Sequence, residues 1–529
     1  MKQKFLILLL LFTLIPTLIV FSSTECILAA EQQKKTKNVI FMIMDGANST
    51  AITLARMYKG HPLIMDEMLS GGVRTYALDS AITDSAAAAT AMATGKKTTT
   101  GSIAMIPKKG KPKSFLPAQT LVEAAEEQGI ATGIIATSPI QHATPAAFSS
   151  HASDRNDFNN IAEQQLYQNM EVVLGGGRSW LFPDPNKGTR PDKENLLTEI
   201  KTKGYEYVQT KDELQKASGP KLWGSFAWED LSYEWDRKQL SPKQPSLQDM
   251  TAKAIELLSS HPKGFFLLVE GSKVDWAAHK NDPIGMISEL LSFDKAVGEA
   301  LDFAKRDKNT LVIAVADHGN GGLSIGNHTT DHTYRQQPSK HIFPLLKKAN
   351  MTASGAVSQL KKDRSNLKEV MANYGLEHVG TKEYCQIKKA KHPEKAMASL
   401  LSEKARLGFT TEGHTGEDVF LYTYGPGRPY GLINNTDLAL FAARALGITL
   451  RQDFYADGEA LLKSQGYQTE RTGTPAENLE LRATKDHKFL RYPVNKNFRY
   501  VNGQKESLRG VTVMYKETFF IPKSSTVDK

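Results

Sequence analysis

Val39-Ile40-Phe41-Met42-Ile43-Met44 is a run of six apolar residues that stops abruptly at Asp45-Gly46. A run so short and so uniformly apolar suits a central strand of a parallel sheet, covered on both faces. Asn48 or Ser49 can cap a helix after the turn. Segments of the same kind recur along the chain. Residues 130–135 follow a helical stretch around Leu121-Val122-Glu123-Ala124, residues 265–269 end at Glu270-Gly271, and residues 311–316 end at Asp317-His318-Gly319. Between the last two, Asp282-Pro283 opens a helix with Ile287, Leu290, Leu291, Val297 and Leu301 on one face. Asp294 falls on that same face without an evident reason. Strands alternating with helices predict an α/β fold: a mostly parallel central sheet flanked by helices.

Asp45, Glu270 and Asp317 each stand at the C-terminal end of a predicted strand. Open α/β sheets build their sites at those ends. Three carboxylates on one sheet edge repel unless cations hold them, so the pattern points to metal. Any one such acid is more often a turn residue or a helix cap. Histidines accompany them: Asp275 and His279 are four apart and share a helix face, Asp317-His318 are adjacent, and His414 precedes the apolar residues 419–424. Imidazole and carboxylate without thiolate suit zinc in a hydrolytic site. His328 and His332 have a metal-like spacing too, but no strand-end acid goes with them, and they read as a solvated loop. The stretch Thr83-Asp84-Ser85-Ala86-Ala87-Ala88-Ala89-Thr90 places a serine in the first turn of an alanine-rich helix. A helix start offers free N–H groups and positive potential to an anion under attack. Its bland reading is a core helix.

The remaining features bound the answer. The chain has 529 residues, 40% hydrophobic and 23% charged, which excludes global disorder. The net charge of +9 favours anionic partners such as phosphate esters or a cell-wall polymer. No basic run interleaved with aromatics marks a nucleic-acid groove. Lys2, Lys4 and the apolar residues 5–21 predict a signal peptide over residues 1–30 and an exported protein, with an uncleaved anchor as the competing reading. Removal of that segment takes Cys26 with it and leaves Cys385 unpaired. Residues 31–472 read as the catalytic domain. An insertion at about 325–410 carries a predicted helix with Val357, Leu360, Leu367 and Met371 on one face, and would form a crown over the site or a homodimer contact. Residues 473–529 read as a small basic β-rich extension.

Five separated motifs taken together, from Val39 to about Leu446, resemble the alkaline phosphatases. The resemblance implies a phosphomonoesterase with two Zn2+ and one Mg2+. It implies that Ser85 is the nucleophile that becomes phosphoserine. Asp275, His279 and His414 would hold the first zinc, and Asp45, Asp317 and His318 the second. Asp45, Thr144 and Glu270 would hold magnesium, and Arg155 would grip two phosphate oxygens. Two substrate-proximal positions depart from many bacterial members, which carry Asp where this chain has His142 and Lys where it has Trp276. Related phosphodiesterases share the two-zinc core but lack the arginine and the magnesium set, so a phosphodiesterase is the nearer rival. A wall-associated binding protein with a degenerate site is the more distant one.

Overall fold

Apolar strand sequences gather at the middle of a ten-stranded sheet. The computed structural model describes residues 36–183, 190–338, 342–474 and 479–523, with backbone alone at 112 and 113. The predicted signal peptide and Cys26 lie outside these residues. In chain order the sheet strands are β1 (Asn38–Met44), β2 (Leu69–Arg74), β3 (Ala131–Pro139), β4 (Val172–Gly176), β5 (Glu206–Val208), β6 (Leu222–Ser225), β7 (Phe265–Gly271), β8 (Thr310–Val315), β9 (Val419–Tyr424) and β10 (Gly431–Asn434). Their spatial order is β10-β2-β9-β8-β1-β7-β3-β4-β6-β5. β9 alone runs against the other nine, pairing antiparallel with β8 and β2.

Every residue of β1 is buried between β8 and β7, with Val39 opposite both Leu311 and Phe266. One set of helices (Ser49–Lys59, Leu247–Ser259, Pro283–Asp307) packs together over the sheet, and a second set (Ser85–Thr94, Ala143–Ser149, Asn435–Leu446) does the same. Covered on both faces, the central strands are apolar through their middles, and buried polar residues such as Asn38, Thr310 and Glu270 stand at or near their ends. Asn48 caps the first helix through Ala51 N–H, and Pro283 opens the longest one behind Asp282, as the sequence predicts. Asp294 now has its reason: its carboxylate accepts from Met65 N–H (3.0 Å) and pairs with Lys59 (3.0 Å), tying that helix to the end of Ser49–Lys59 and the short helical turn Ile64–Met68 that follows it.

The insertion is helical but is not built on one amphipathic helix. The predicted face is split between Ala353–Ser358 and Leu367–Asn373. The intervening Lys361-Lys362-Asp363-Arg364-Ser365-Asn366 is too polar to bury, Arg364 adopts φ 56°, and Asn366 ties the turn to Gln359 O and Lys361 N. Beyond the sheet, the chain forms a five-stranded antiparallel sheet (Gln468–Thr472, Glu480–Lys485, Lys488–Pro493, Phe498–Val501, Gln504–Ser507) and a three-stranded one. These have their own apolar cluster around Leu481, Tyr492 and Phe519, while Phe498, Val511, Val513 and Phe520 join the main core. Among the described residues, no helix is long and apolar enough to cross a membrane.

Candidate active site

Strand direction delivers the site. β1, β7 and β8 run side by side in parallel, so Asp45 after β1, Glu270 near the end of β7 and Asp317-His318 after β8 arrive at one edge. His414 precedes its strand, yet it reaches the same edge because β9 is reversed. The turn after β1 requires glycine. Gly46 takes φ 71°, a side chain there would meet the Asp275 backbone at 2.7 Å, and its N–H donates to Asp317 Oδ1 (3.0 Å).

The ligand atoms of Asp45, Asp317 and His318 lie within 4.8 Å of one another, and so do those of Asp275, His318 and His414, and of Asp45, His142 and Glu270. His279 Nε2 is 3.4 Å from Asp275 Oδ2 and His414 Nε2 is 3.5 Å from Asp275 Oδ1. The His318 and His414 rings stack at 3.7 Å, and the more exposed His279 ring lies 5.1 Å from that of His414. His328 and His332 are exposed and belong to none of these groups.

The three imidazoles are oriented by the backbone. His279 Nδ1 meets Glu412 O (2.6 Å), His414 Nδ1 meets Thr83 O (2.9 Å) and His318 Nδ1 meets Gly319 O (3.2 Å). A carbonyl can only accept, so each Nδ1 carries hydrogen and each Nε2 lone pair is left for the cluster. The carboxylates tell the same story. Both oxygens of Asp45, Oδ2 of Asp317, Oε1 of Glu270 and the Thr144 hydroxyl are buried with no hydrogen-bond partner among the described residues. Buried charge left so bare is costly, and cations are what this donor set fits.

Electrostatics agree. Burial, then the charges of Asp317, Asp275 and Glu270, push the Asp45 carboxyl well above its usual range. Glu270 is pushed up to about 7 by burial, opposed by the Ser272 hydroxyl and reinforced by the Asp317 charge. Burial would raise Asp275 as well, but the close His279 ring and the neighbouring imidazoles outweigh it and hold that carboxyl below the usual range. His142 is brought down to about 3 by burial and by the Arg155 charge, so it is neutral at physiological pH.

Ser85 opens the helix Ser85–Thr94, which is buried all round, and Asp84 caps it by accepting from Ala87 N–H (3.0 Å). Ser85 Oγ lies 3.2 Å from His318 Nε2. Arg155 Nη1 donates to Asp84 Oδ2 (2.9 Å) and Nη2 to His142 Nε2 (3.3 Å). Trp276 sets its ring edgewise against His142, centroids 5.7 Å apart. The structure thus brings all twelve predicted site residues to one sheet edge. Two residues with no predicted role join them. Asp84 orients Arg155, and Asn320 donates to Asp275 Oδ1 at 2.6 Å. The adjacency of Asp84 to Ser85 is a signal for the first, whereas nothing in the sequence separates Asn320 from an ordinary turn residue.

An α/β sheet with imidazoles, carboxylates and a serine converging at its carboxyl edge defines a metal-dependent hydrolase. The chain belongs to the alkaline phosphatase family, whose model matches residues 36–448, and is a phosphomonoesterase. It is 38% identical over 441 residues to alkaline phosphatase 4 of Bacillus subtilis, covering 79% of this chain and 90% of that protein. The Thermus thermophilus alkaline phosphatase structure superposes with a TM-score of 0.72 at 28% identity, covering 82% of this chain and 96% of that one. A variant of the alkaline phosphatase of the Antarctic bacterium TAB5, with a histidine replaced by aspartate and magnesium bound in its M3 site, superposes with a TM-score of 0.58 at 26% identity, covering 79% of this chain and 100% of that one.

Proposed function

We propose that this chain is an exported enzyme that scavenges phosphate by cleaving small phosphate monoesters through a phosphoserine at Ser85. The observation that carries the reading is the placement of Ser85 Oγ, 3.2 Å from His318 Nε2, at a helix start beside an arginine already oriented by Asp84. Asp275, His279 and His414 would hold one zinc, Asp45, Asp317 and His318 a second, and Asp45, Thr144 and Glu270 a magnesium. When bound, these cations offset the carboxylate charge, polarise the phosphoryl group and lower the pKa of the groups they touch.

The chain's own residues do the rest. Arg155 offers a planar fork to two phosphoryl oxygens and fixes the phosphorus in front of Ser85. Ser85 Oγ attacks phosphorus as the ester oxygen leaves on the opposite side, giving phosphoserine and an alcohol. Water then displaces Ser85 from phosphorus, releasing phosphate and restoring the hydroxyl. The first N–H groups of the helix face growing negative charge in both steps. Ser85→Ala should keep the fold and the bound metals, because the ligands lie on other elements, and lose all labelled phosphoenzyme after acid quench. Stable incorporation of phosphate by the alanine variant would overturn the assignment. Export rests on residues 1–30, and detection of the mature chain in the culture medium tests it.

A further inference from the structure

A second charged site lies at the seam between the catalytic core and the C-terminal sheet, and it shares no residue with the site above. A cavity of about 340 Å³ opens there. Its core wall comes from the ends of Leu121–Glu127 and Phe158–Tyr167 and from Lys203, just past Leu196–Thr202. The facing wall is the hairpin Phe498–Val501 and Gln504–Ser507 with the residues that follow it. Three cations line this space: Lys203, Lys505 and Arg509. Among the described residues, none of the three is in an ion pair: Lys203 is half-buried, Lys505 and Arg509 are exposed, and Arg509 Nη1 donates only to Glu127 O (3.4 Å). Lys203 Nζ sits 4.3 Å over the Tyr167 ring and Lys505 Nζ 3.9 Å over the Phe498 ring, and those two rings touch edge to face at 5.8 Å. The aromatic pair therefore holds two like charges at one cavity, and an anion bound between them would relieve their repulsion.

Glu126 is the carboxyl on this wall. It accepts from the Thr132 hydroxyl, and burial beside Glu171 favours its neutral form. It therefore does not serve as the missing counter-ion. Burial and the neighbouring Lys505 and Lys221 bring Lys203 down to about 8, with Glu199 opposing them in part.

We propose that this cavity is a binding site for a phosphoryl oxyanion, which joins the C-terminal sheet to the catalytic core. A tetrahedral oxyanion can accept from two ammonium groups and a guanidinium at once, and each such bond is charge-assisted. Because the walls come from both parts of the molecule, occupancy stabilises their union by mass action. The phosphoryl group can be free phosphate or part of a phosphodiester polymer.

The test uses metal-loaded full-length enzyme. Equilibrium dialysis with labelled orthophosphate should find two phosphates per chain in the parent and one in the Lys203→Gln/Lys505→Gln/Arg509→Gln variant, with kcat unchanged. A poly(glycerol phosphate) chain, followed by co-sedimentation, forms the second arm. Loss of at least tenfold in polymer affinity in the variant, with a single phosphate per chain in both proteins, would assign the site to the polymer. If the triple variant fails to fold, Lys505→Glu on the exposed hairpin makes the same comparison. Unchanged phosphate stoichiometry together with unchanged polymer affinity would overturn the proposal, whatever the outcome at Ser85.

Discussion

Replacing Arg155 by lysine distinguishes monoester from diester chemistry. Two of its five N–H groups are engaged, one by Asp84 at 2.9 Å and one by His142 at 3.3 Å, which sets the plane of the guanidinium and leaves three for a ligand. Arg155→Lys keeps the charge and loses the fork. An ammonium can still meet one phosphoryl oxygen, so the net loss is one charge-assisted hydrogen bond, about 1.5–3 kcal/mol. That corresponds to roughly a 10- to 150-fold fall in kcat/KM on a monoester. A diester presents one fewer charged oxygen to the fork and should lose less. Steady-state kinetics on an aryl phosphate and the matching diester, with saturating metals, measures both. A fall of under about threefold on the monoester, or equal falls on the two substrates, would refute the argument that Arg155 reads the dianion.

Trp276→Lys with His142→Asp should lower both the phosphate inhibition constant and kcat, the former by about tenfold or ~1.4 kcal/mol, because a new cation and a new carboxylate strengthen the hold on phosphate and on the third metal. The rings of Trp276 and His142 touch, so the two positions are changed together, and product-inhibition kinetics that match the parent would count against the idea. Glu289 is buried and pushed up to about 7, so the folded chain keeps a proton that the unfolded chain releases from about pH 4.5 upward. The Glu289 contribution to stability should therefore fall as pH rises through that window, by about 3 kcal/mol in all; Glu289→Gln should remove that part of the slope in denaturant titrations from pH 5 to 8, and an unaltered slope would exclude this group. Truncation after Gly473 should destabilise the whole chain and not merely release an appendage, since Phe498, Val511, Val513 and Phe520 belong to the main core and Asn495 bonds Gln164 at 3.0 Å. A soluble truncated protein with parental melting temperature would contradict that.

The parts legible in the sequence were those set by local pattern. A buried parallel strand needs apolar residues on both faces, so residues 39–44, 265–269 and 311–316 declare themselves, and the acids behind them mark the carboxyl edge. Asp275 and His279 are near in sequence and share a helical turn, so their meeting was legible too. What the pattern does not carry is strand direction. Nothing in residues 419–424 says that β9 runs backwards, and that reversal is what lets His414, placed before its strand, stand with groups placed after theirs. The insertion misleads for the opposite reason. An apolar spacing that fits one helix survives in two short ones, because the polar turn at 361–366 decides and the spacing does not.

The same division explains the partners that went unassigned. Asp84 and Asn320 act through bonds to residues distant in sequence, Asp84 to Arg155 and Gly101 and Asn320 to Asp275, and such bonds leave no periodicity behind. Their place in the site follows from what they hold. An arginine that must present a flat fork needs a fixed plane, and Asp84 supplies it while capping the helix that carries Ser85. Nucleophile and phosphate grip are thereby tied to one carboxylate, so a change at Asp84 should disturb the aim of Arg155 and the start of the Ser85 helix together. Substitution at Asn320 should instead be felt at Asp275, through its carboxylate and its backbone carbonyl.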